Sequence, residues 1–405
     1  MEKSTTLKGA VMVAQSGGPT SVINASTYGV VKAALANPNV TRVLWAANGV
    51  EGILEDRIFD MRAEDPKELE LLKQTPAAAF GSCRKKIKEE AELAKVVEML
   101  KKYDVRYFFY NGGNDSMDTC QKVHEYAAKI GYEMRVMGVP KTIDNDLAAT
   151  DHTPGYGSAA KYVATTCMEL VREAGVYGNA PIIVVEVMGR NAGWLTAAAA
   201  LASPDLIYLP EVAFDMDKFL ADVTSLNEKK KGQVLAVVSE GIHDANGKYI
   251  TEYAKDVGKD SFGHAQLGGL ASFLASEIKK RLNVRVKGIE LSLLQRCAAH
   301  CASKTDVDEA FNVGKATFEA AIKGESGKMI AYKCTRNPYK CEYVAVPLSD
   351  VANHEKKVPL EWINKEGNNV NKKFIDYALP LIQGEPDLVR ENGLPRYAKL
   401  KRKKA

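Results

Sequence analysis

No apolar run in the 405-residue sequence approaches the length that a membrane-spanning helix requires, about eighteen residues. Its first residues, Met1–Ala10, are polar and lead into a strand pattern, so we expect no signal peptide. The excess of one sign of charge over the other is also small. The net charge of +4 is too small to indicate nucleic-acid binding, and the basic residues 399–404 are typical of a solvated terminus. Neither a membrane nor a nucleic acid is expected as a partner.

Cysteine shows no disulfide pattern. The seven cysteines are odd in number and scattered, which favours a reducing compartment and predicts a cytoplasmic protein. Cys297, His300 and Cys301 have the spacing of half a zinc site. No second half follows in the sequence, so we interpret them as one face of a helix.

Short apolar runs alternate with helical patterns along most of the chain. This alternation predicts an α/β fold with two doubly wound, mostly parallel, Rossmann-like lobes and an active site in the cleft between them. We place the first lobe at residues 1–155 and the second at 156–309. Residues 310–405 are predicted to form a C-terminal segment that packs back on the lobes.

One stretch places dense chemistry after an apolar strand pattern. Lys141, Asp144 and Asp146 follow Val136–Val139 closely, and α/β sheets commonly bind ligands at the carboxyl ends of their strands. If the segment is extended, the two carboxylates face the same side, close enough to share a metal ion or a proton-transfer task. A solvated acidic turn is the alternative, because Asp and Asn favour turns.

Two glycine-rich turns, at residues 15–20 and 111–116, also follow strand patterns and precede helical ones. This geometry points backbone N–H groups at a phosphate, although neither turn has the complete Walker or dinucleotide pattern, and a simple tight turn is the alternative. Asp115 in the second turn is either a helix N-cap or a functional carboxylate, with a helix expected from about Met117. Arg84 follows a Gly-Ser turn and could reach a loop-bound anion.

Three charged residues stand at predicted strand ends in the second half: Arg190, Glu240 and Arg296. The last follows a strand predicted over Val284–Leu294, after a helix at about 266–282. Glu240 would accept sugar hydroxyls and the arginines would bind a phosphate, with structural ion pairs as the alternative.

Together these segments resemble the phosphofructokinase family over roughly residues 10–310. The motifs that carry the resemblance are Ser16-Gly17-Gly18, Gly112-Gly113-Asn114-Asp115-Ser116, Thr142-Ile143-Asp144-Asn145-Asp146, Met188-Gly189-Arg190, Glu240-Gly241 and Gln295-Arg296. The resemblance implies phosphoryl transfer to the 1-hydroxyl of fructose 6-phosphate, with Asp144 as the base and Mg²⁺ as cofactor. It implies a metal site at Asn114 and Asp146. The implied sugar-phosphate site is Thr142, Ile143, Asp144, Met188, Gly189, Arg190, Glu240 and Arg296. The implied donor site is Gly18, Arg84, Asp115 and Lys141, with catalytic roles for the last two.

Two positions resemble the pyrophosphate-dependent branch of the family. ATP-using members commonly have Gly where this chain has Asp115, and often where it has Lys141. A buried carboxylate at position 115 would stand where the α-phosphate of ATP must pass, and such a like-charge contact costs several kcal/mol. Lys141 would neutralise charge on the transferring phosphoryl group.

The chain departs from the family pattern at Asn114, where many members have Asp, at Leu293, where a tyrosine is common, and at Pro181, where allosteric members have an arginine. His300 is a further candidate for the sugar-phosphate site. The family implies a homodimer or homotetramer, and the missing effector-site cations imply little allosteric control. The alternatives are an ATP-dependent 6-phosphofructokinase, another small-molecule kinase and a catalytically silent regulatory subunit.

Overall fold

The computed structural model describes residues 6–176, 178–254 and 269–405. Its strands are β1 (Gly9–Gln15), β2 (Val40–Ala46), β3 (Ile58–Asp60), β4 (Val105–Gly112), β5 (Arg135–Pro140), β6 (Ile182–Val187), β7 (Leu206–Tyr208), β8 (Leu235–Ser239), β9 (Val286–Glu290), β10 (Lys328–Arg336), β11 (Tyr339–Pro347), β12 (Arg390–Glu391) and β13 (Leu394–Pro395). Its α-helices are α1 (Ile23–Leu35), α2 (Gly49–Leu54), α3 (Pro66–Glu70), α4 (Glu90–Lys102), α5 (Asn114–Lys129), α6 (Tyr156–Ala174), α7 (Trp194–Ala197), α8 (Met216–Lys230), α9 (Leu270–Leu282), α10 (Leu294–Cys297), α11 (Lys304–Ile322) and α12 (Lys372–Ala378).

The first sheet has the strand order β11-β10-β5-β4-β1-β2-β3 within the described ranges. Its central strands are parallel, and antiparallel pairs lie at both edges. Gln15 at the end of β1 is in register with Asn111 of β4, which is in register with Val139 of β5. The two glycine turns and the Lys141 segment therefore leave the same edge of the sheet side by side.

The second sheet has the order β7-β8-β6-β9 and parallel pairing throughout. Val187 at the end of β6 is in register with Ser239 at the end of β8. This register brings the Met188–Arg190 turn beside Glu240. The mostly parallel α/β class predicted from the alternation is confirmed.

Both faces of the first sheet are buried. Met12 of β1 and Phe108 of β4 pack into one apolar cluster, whereas their neighbours Val13 and Phe109 pack into another on the opposite face. Because successive side chains point to opposite faces, a strand covered on both sides reads as an unbroken apolar run. This explains why the runs were visible in the sequence.

The C-terminal part extends the first sheet through β10 and β11 and packs α11 against α1. A Cβ atom at Gly29 would lie only 2.0 Å from the carbonyl oxygen of Phe311, and one at Gly314 only 1.9 Å from that of Ser26. These glycines allow a close helix–helix approach that any larger residue would block.

Two predicted elements differ from the structure. Helix α5 begins at Asn114 rather than near Met117, and the strand predicted over 284–294 is limited to β9. Of the helix predicted at 266–282, residues 266–268 lie outside the described residues, and the rest is α9. Among the described residues, no helix is both long and apolar enough to cross a membrane.

Candidate active site

A polar cleft of about 630 Å³ lies where the carboxyl ends of the two sheets face each other. The predicted site residues that line it are Gly18, Arg84, Asn114, Asp115, Lys141, Thr142, Ile143, Asp144, Asp146, Met188, Arg190, Glu240 and Arg296. The remaining predicted residue, Gly189, lies directly behind the lining, and its backbone N–H donates to Glu240 Oε1 at 3.3 Å. The structure therefore brings residues distant in the sequence into one site.

A left-handed residue positions the acidic loop. Asn145 has φ +56° and is fully buried, so the segment between Asp144 and Asp146 is not extended, and the condition on which the two carboxylates would face one side of a strand is not met. The Asn145 amide donates to the hydroxyl of Tyr377 at 2.7 Å. Thr142 Oγ1 accepts from the backbone N–H of Asp144 at 3.1 Å. The buried amide of Asn145 anchors this turn, and Asp144 and Asp146 on either side of it line the cleft.

Lys141 lines the first-sheet end of the cleft, beside the first glycine turn. Its side chain is buried, and Nζ donates to the carbonyl oxygen of Gly18 at 2.6 Å. A Cβ atom at Gly17 would lie 3.2 Å from that Nζ, and Gly17 has φ +76°, a conformation that favours glycine. The first glycine turn, after β1, thus leaves room for the ammonium group of Lys141, which follows β5.

Burial lowers the pKa of Lys141 to about 8, although Asp144 and Asp146 act in the opposite direction. The neighbouring Arg296 and Arg84 guanidinium groups lower it further. Three cationic side chains therefore converge on one end of the cleft. Such a concentration of positive charge suits the binding of an anion such as a phosphate.

The carboxylates occupy the middle of the cleft. Burial raises the pKa of Asp144, and the Lys141 ammonium opposes that rise. Burial, the charge of Asp144 and the charge of Glu355 together raise the pKa of Asp146 to about 7. Asp144 is thus a carboxylate with a raised proton affinity next to a cation, as a general base requires.

The turn after β6 forms the other end of the cleft with Glu240. Burial raises the pKa of Glu240 to about 7. Gly189 has φ +147°, and a Cβ atom there would lie 2.7 Å from the carbonyl oxygen of Ala192, so glycine is required. The backbone N–H of Met188 donates to Gln295 Oε1 at 3.2 Å, which fixes the start of this turn.

Arg296 does not stand at a strand end as predicted. The chain leaves β9 at Glu290, turns through Ser292 with φ +43°, and places Arg296 on the short helix α10. This helix carries the guanidinium across the cleft, so that a Cβ atom at Gly18 would lie 3.2 Å from Nη1 of Arg296 and 3.9 Å from Nη2 of Arg84. The two arginines therefore flank the first glycine turn.

The structure corrects the setting of Asp115. Gly113 is the N-cap of α5 and Asp115 lies in its first turn, so the N-cap alternative is wrong. Its side chain is 63% exposed and pairs with Lys86 at 2.8 Å, whereas a buried carboxylate was predicted. Because solvent and Lys86 screen its charge, its repulsion of a nucleotide phosphate is weaker than the several kcal/mol of a buried contact.

Asn114 links the second glycine turn to the C-terminal part. Its amide donates to the carbonyl oxygen of His354 at 2.6 Å, and its Oδ1 accepts from the backbone N–H of Asn353 at 2.5 Å. Both ends of the amide are therefore engaged in holding residues 353–354 against α5.

This segment supplies two cleft residues that were not predicted from the sequence, Asn353 and Glu355. Next to them, the backbone N–H of Lys356 donates to the carbonyl oxygen of Asp146 at 2.7 Å, and Nζ of Lys356 donates to that of Asp151 at 2.7 Å. The segment lies about two hundred residues beyond the acidic loop and carries no motif, so no local signal indicated it.

His300 is not among the described residues that line the cleft. It lies on a short 3₁₀ turn, Ala299–Cys301, and its ring meets the edge of Tyr162 at 6.5 Å between centroids. Cys297 ends the preceding helix α10, and Ala298, with ψ 62°, separates it from this turn, so the three residues do not share one helix face as predicted.

The fold and the cleft together define a class of protein. Glycine turns at parallel strand ends offer N–H groups to phosphates, cations gather at one end, and a facing carboxylate can accept a proton. These three features are typical of a phosphotransferase that acts on small phosphorylated molecules. Residues 10–299 match the family described as phosphofructokinase, and the chain belongs to that family.

Several relatives at 42–44% identity share one name, pyrophosphate–fructose 6-phosphate 1-phosphotransferase. The protein of Xanthomonas campestris pv. campestris (strain B100) is 44% identical, and the alignment covers 97% of this chain and 96% of that protein. The protein of Halomonas elongata is 42% identical, with coverage of 96% and 95%. The crystal structure of a pyrophosphate-dependent phosphofructokinase from Marinobacter aquaeolei superposes with a TM-score of 0.89 at 37% identity, covering 98% of this chain and 97% of that one. The predicted two-lobed family fold is confirmed.

Proposed function

We infer that this chain transfers a phosphoryl group from pyrophosphate to the 1-hydroxyl of fructose 6-phosphate. The products are fructose 1,6-bisphosphate and phosphate, in a reversible step of glycolysis and gluconeogenesis. The observation that carries this inference is the buried Lys141 ammonium between the first glycine turn and the Asp144 carboxylate. Relatives at 42–44% identity that bear the corresponding name support it.

In this mechanism the sugar phosphate binds at the second-sheet end of the cleft, between Arg190 and Glu240. Asp144 takes the proton of the 1-hydroxyl as its oxygen attacks the nearer phosphorus of pyrophosphate, and the bond from that phosphorus to the bridging oxygen breaks. Lys141 and Arg84 stabilise charge on the transferring group and on the departing phosphate. Catalysis rests on positioning and charge stabilisation, as expected for phosphoryl transfer.

We also propose a magnesium site at the acidic loop. Asp146, with Asp144 and Glu355 beside it, offers the hard oxygen ligands that Mg²⁺ prefers, and Mg²⁺ usually takes only one or two protein carboxylates plus substrate phosphates. When bound, Mg²⁺ would neutralise charge on pyrophosphate. Asn114 was also predicted as a metal ligand. Both ends of its amide are hydrogen-bonded to residues 353–354, so we propose Asp146 rather than Asn114 as the metal ligand.

We propose a cytoplasmic homodimer or homotetramer with little allosteric control. The cysteines are free thiols in the structure, which fits a reducing compartment.

Replacing the exposed carboxylate at the donor end tests its part in donor choice. We expect Asp115→Gly to lower kcat/KM with pyrophosphate and to raise the low activity with ATP, because one negative charge leaves the path of a longer polyphosphate chain. Since Asp115 is exposed and paired with Lys86, we expect a change of about tenfold, equivalent to about 1.4 kcal/mol. Steady-state kinetics with each donor measure it.

Glu125→Gly is the matched control, since it introduces glycine into the same helix at an exposed acidic residue outside the cleft lining. An equal gain in ATP use by this control would show that helix loosening, not charge, sets the preference.

The raised pKa values of Glu240 and Asp146 and the lowered pKa of Lys141 predict a bell-shaped dependence of kcat/KM on pH. Glu240 and Asp146, with pKa values of about 7, protonate as the pH falls and lose the charge that binds substrate and metal. Lys141, with a pKa of about 8, loses its charge as the pH rises. We therefore expect kcat/KM for pyrophosphate to decline below about pH 7 and above about pH 8, because this parameter reports the free enzyme.

The control for this profile is Lys141→Arg, because arginine keeps its charge at any accessible pH. Its alkaline limb should shift upward or disappear. An unchanged alkaline limb would assign that limb to the substrate and contradict the role given to Lys141.

Phosphorus NMR tests the proposed reaction directly. Purified chain with Mg²⁺, pyrophosphate and fructose 6-phosphate should replace the pyrophosphate signal by signals of inorganic phosphate and a sugar 1-phosphate. Addition of fructose 1,6-bisphosphate and phosphate should restore pyrophosphate. Release of phosphate without a sugar 1-phosphate signal would indicate simple hydrolysis and exclude the proposal.

A further inference from the structure

A second chemical site lies outside the cleft, on the hairpin of β10 and β11. Cys334 and Cys341 are directly opposite each other in this antiparallel pair, and both are half-buried free thiols. Opposite residues of such a pair have Cβ atoms about 4.5–5.5 Å apart, and a disulfide spans Cβ atoms about 3.5–4.5 Å apart. A small closure of the hairpin would suffice to join them.

A buried histidine faces one of these thiols. Nδ1 of His152 lies 3.8 Å from Sγ of Cys334 and 3.0 Å from Oδ1 of Asp151, and its Nε2 lies 2.8 Å from Oε2 of Glu309. Burial would lower the pKa of His152, but its bonds to Asp151, Cys334 and Glu309 raise it well above the usual range. The raised pKa favours the imidazolium form of His152, whose positive charge beside Sγ stabilises a thiolate at Cys334.

The two thiols differ in character. A hydrogen bond from Cys341 is the main cause that lowers the pKa of Cys334 to about 6, with His152 adding to it against the effect of burial. The same hydrogen bond raises the pKa of Cys341. A low-pKa thiolate beside a proton-bearing thiol is the arrangement of an attacking and a resolving cysteine.

We propose that Cys334 and Cys341 form a reversible dithiol site that reacts with small-molecule disulfides. The Cys334 thiolate attacks one sulfur of the reagent, the reagent's S–S bond breaks, and the released thiolate takes a proton from water. Cys341, after losing its proton to water, attacks the Cys334 sulfur of the mixed disulfide and expels the second small thiol. Two protein thiols are thereby oxidised to one disulfide, and the reagent is reduced to two thiols.

A metal site is the rival for the same cluster, since ligand atoms of Asp151, His152 and Cys334 lie within 4.8 Å of one another. The donors are already engaged, however. Oδ1 of Asp151 accepts from Arg336 Nη2 at 2.6 Å, and Nε2 of His152 faces Glu309. The Arg336 guanidinium would also repel a cation at this point. Thiol chemistry therefore suits the cluster better.

Peptide mapping tests the site on the complete chain. The protein is treated with oxidised glutathione, quenched with acid, alkylated and digested with trypsin, which separates the two cysteines because it cleaves after Lys333, Arg336 and Lys340. We expect a disulfide between peptides 334–336 and 341–356 that dithiothreitol reverses. Cys341→Ser should instead retain glutathione on Cys334, and Cys334→Ser should form neither product.

Cys297→Ser is the control, because Cys297 is a half-buried free thiol outside this cluster, and it should behave as the unmodified chain does. We expect His152→Gln to slow alkylation of Cys334 at pH 7 by about twofold, because a rise of about one unit in a pKa of about 6 lowers the thiolate fraction from about nine-tenths to about one half. The proposal is overturned if glutathione attaches to Cys297 as fast as to Cys334, or if the unmodified chain gives no linked peptides. Mapping of the unmodified chain decides the second point even where a variant fails to fold.

Discussion

The variant Asp144→Asn should lose turnover by about 10²–10⁴-fold, the range that general-base catalysis usually contributes. The amide has the shape of the carboxylate but cannot accept the proton of the sugar hydroxyl. Asp144 lines the cleft beside Lys141, and burial raises its proton affinity, so no other group is better placed to take that proton. Fructose 6-phosphate binding should change only a few-fold, because its phosphate is bound elsewhere in the cleft.

Initial-rate kinetics and isothermal titration with fructose 6-phosphate separate these two effects. Asp217→Asn, the same change at an exposed residue in the first turn of α8, is the control and should keep full activity. A kcat near the normal value for Asp144→Asn would remove the assignment of the base. A loss of sugar binding that matches the loss of turnover would make Asp144 a binding group only.

The variant Lys141→Met should lower kcat with pyrophosphate by about 10²–10³-fold, equivalent to about 3–4 kcal/mol of transition-state stabilisation. The methionine keeps an unbranched apolar stem of similar length, so packing around the buried side chain is retained. What is lost is the ammonium that lies 2.6 Å from the carbonyl oxygen of Gly18 and next to the Asp144 carboxylate. Because negative charge develops on the departing phosphate in the transition state, the effect should be on kcat more than on KM.

Lys129→Met serves as the control, since Lys129 is an exposed surface residue paired with Glu90 far along α5. Lys141→Met should also lose the alkaline limb of the pH profile. A variant that retains at least half of the normal kcat would show that Lys141 has a structural role only.

Much of the site could be predicted because its signals are local. Parallel strands read as apolar runs, and the polar residues that follow them leave the carboxyl edge of their sheet, as Lys141 does in the first sheet and Glu240 in the second. Glycine turns such as the one at Gly18 mark where the backbone must turn sharply beside a ligand. These relations depend on a few neighbouring residues, so a single sequence contains them.

What could not be predicted depends on contacts between distant parts of the chain. Asn145 adopts a left-handed conformation because Tyr377 binds its amide, and nothing near Asn145 indicates that partner. Glu355 reaches the cleft because Lys356 pairs with the backbone of Asp146. The ion pair between Asp115 and Lys86 likewise joins two segments that the sequence alone did not connect.

The central claim is that pyrophosphate is the phosphoryl donor of this chain. The most direct measurement is kcat/KM with pyrophosphate and with ATP, on the same preparation with Mg²⁺ and saturating fructose 6-phosphate. The buried Lys141, with Asp115 beside the donor path, predicts that pyrophosphate is preferred by a factor of about 10² or more, the effect of one preorganised contact. Equal use of both donors, or a preference for ATP, would contradict it.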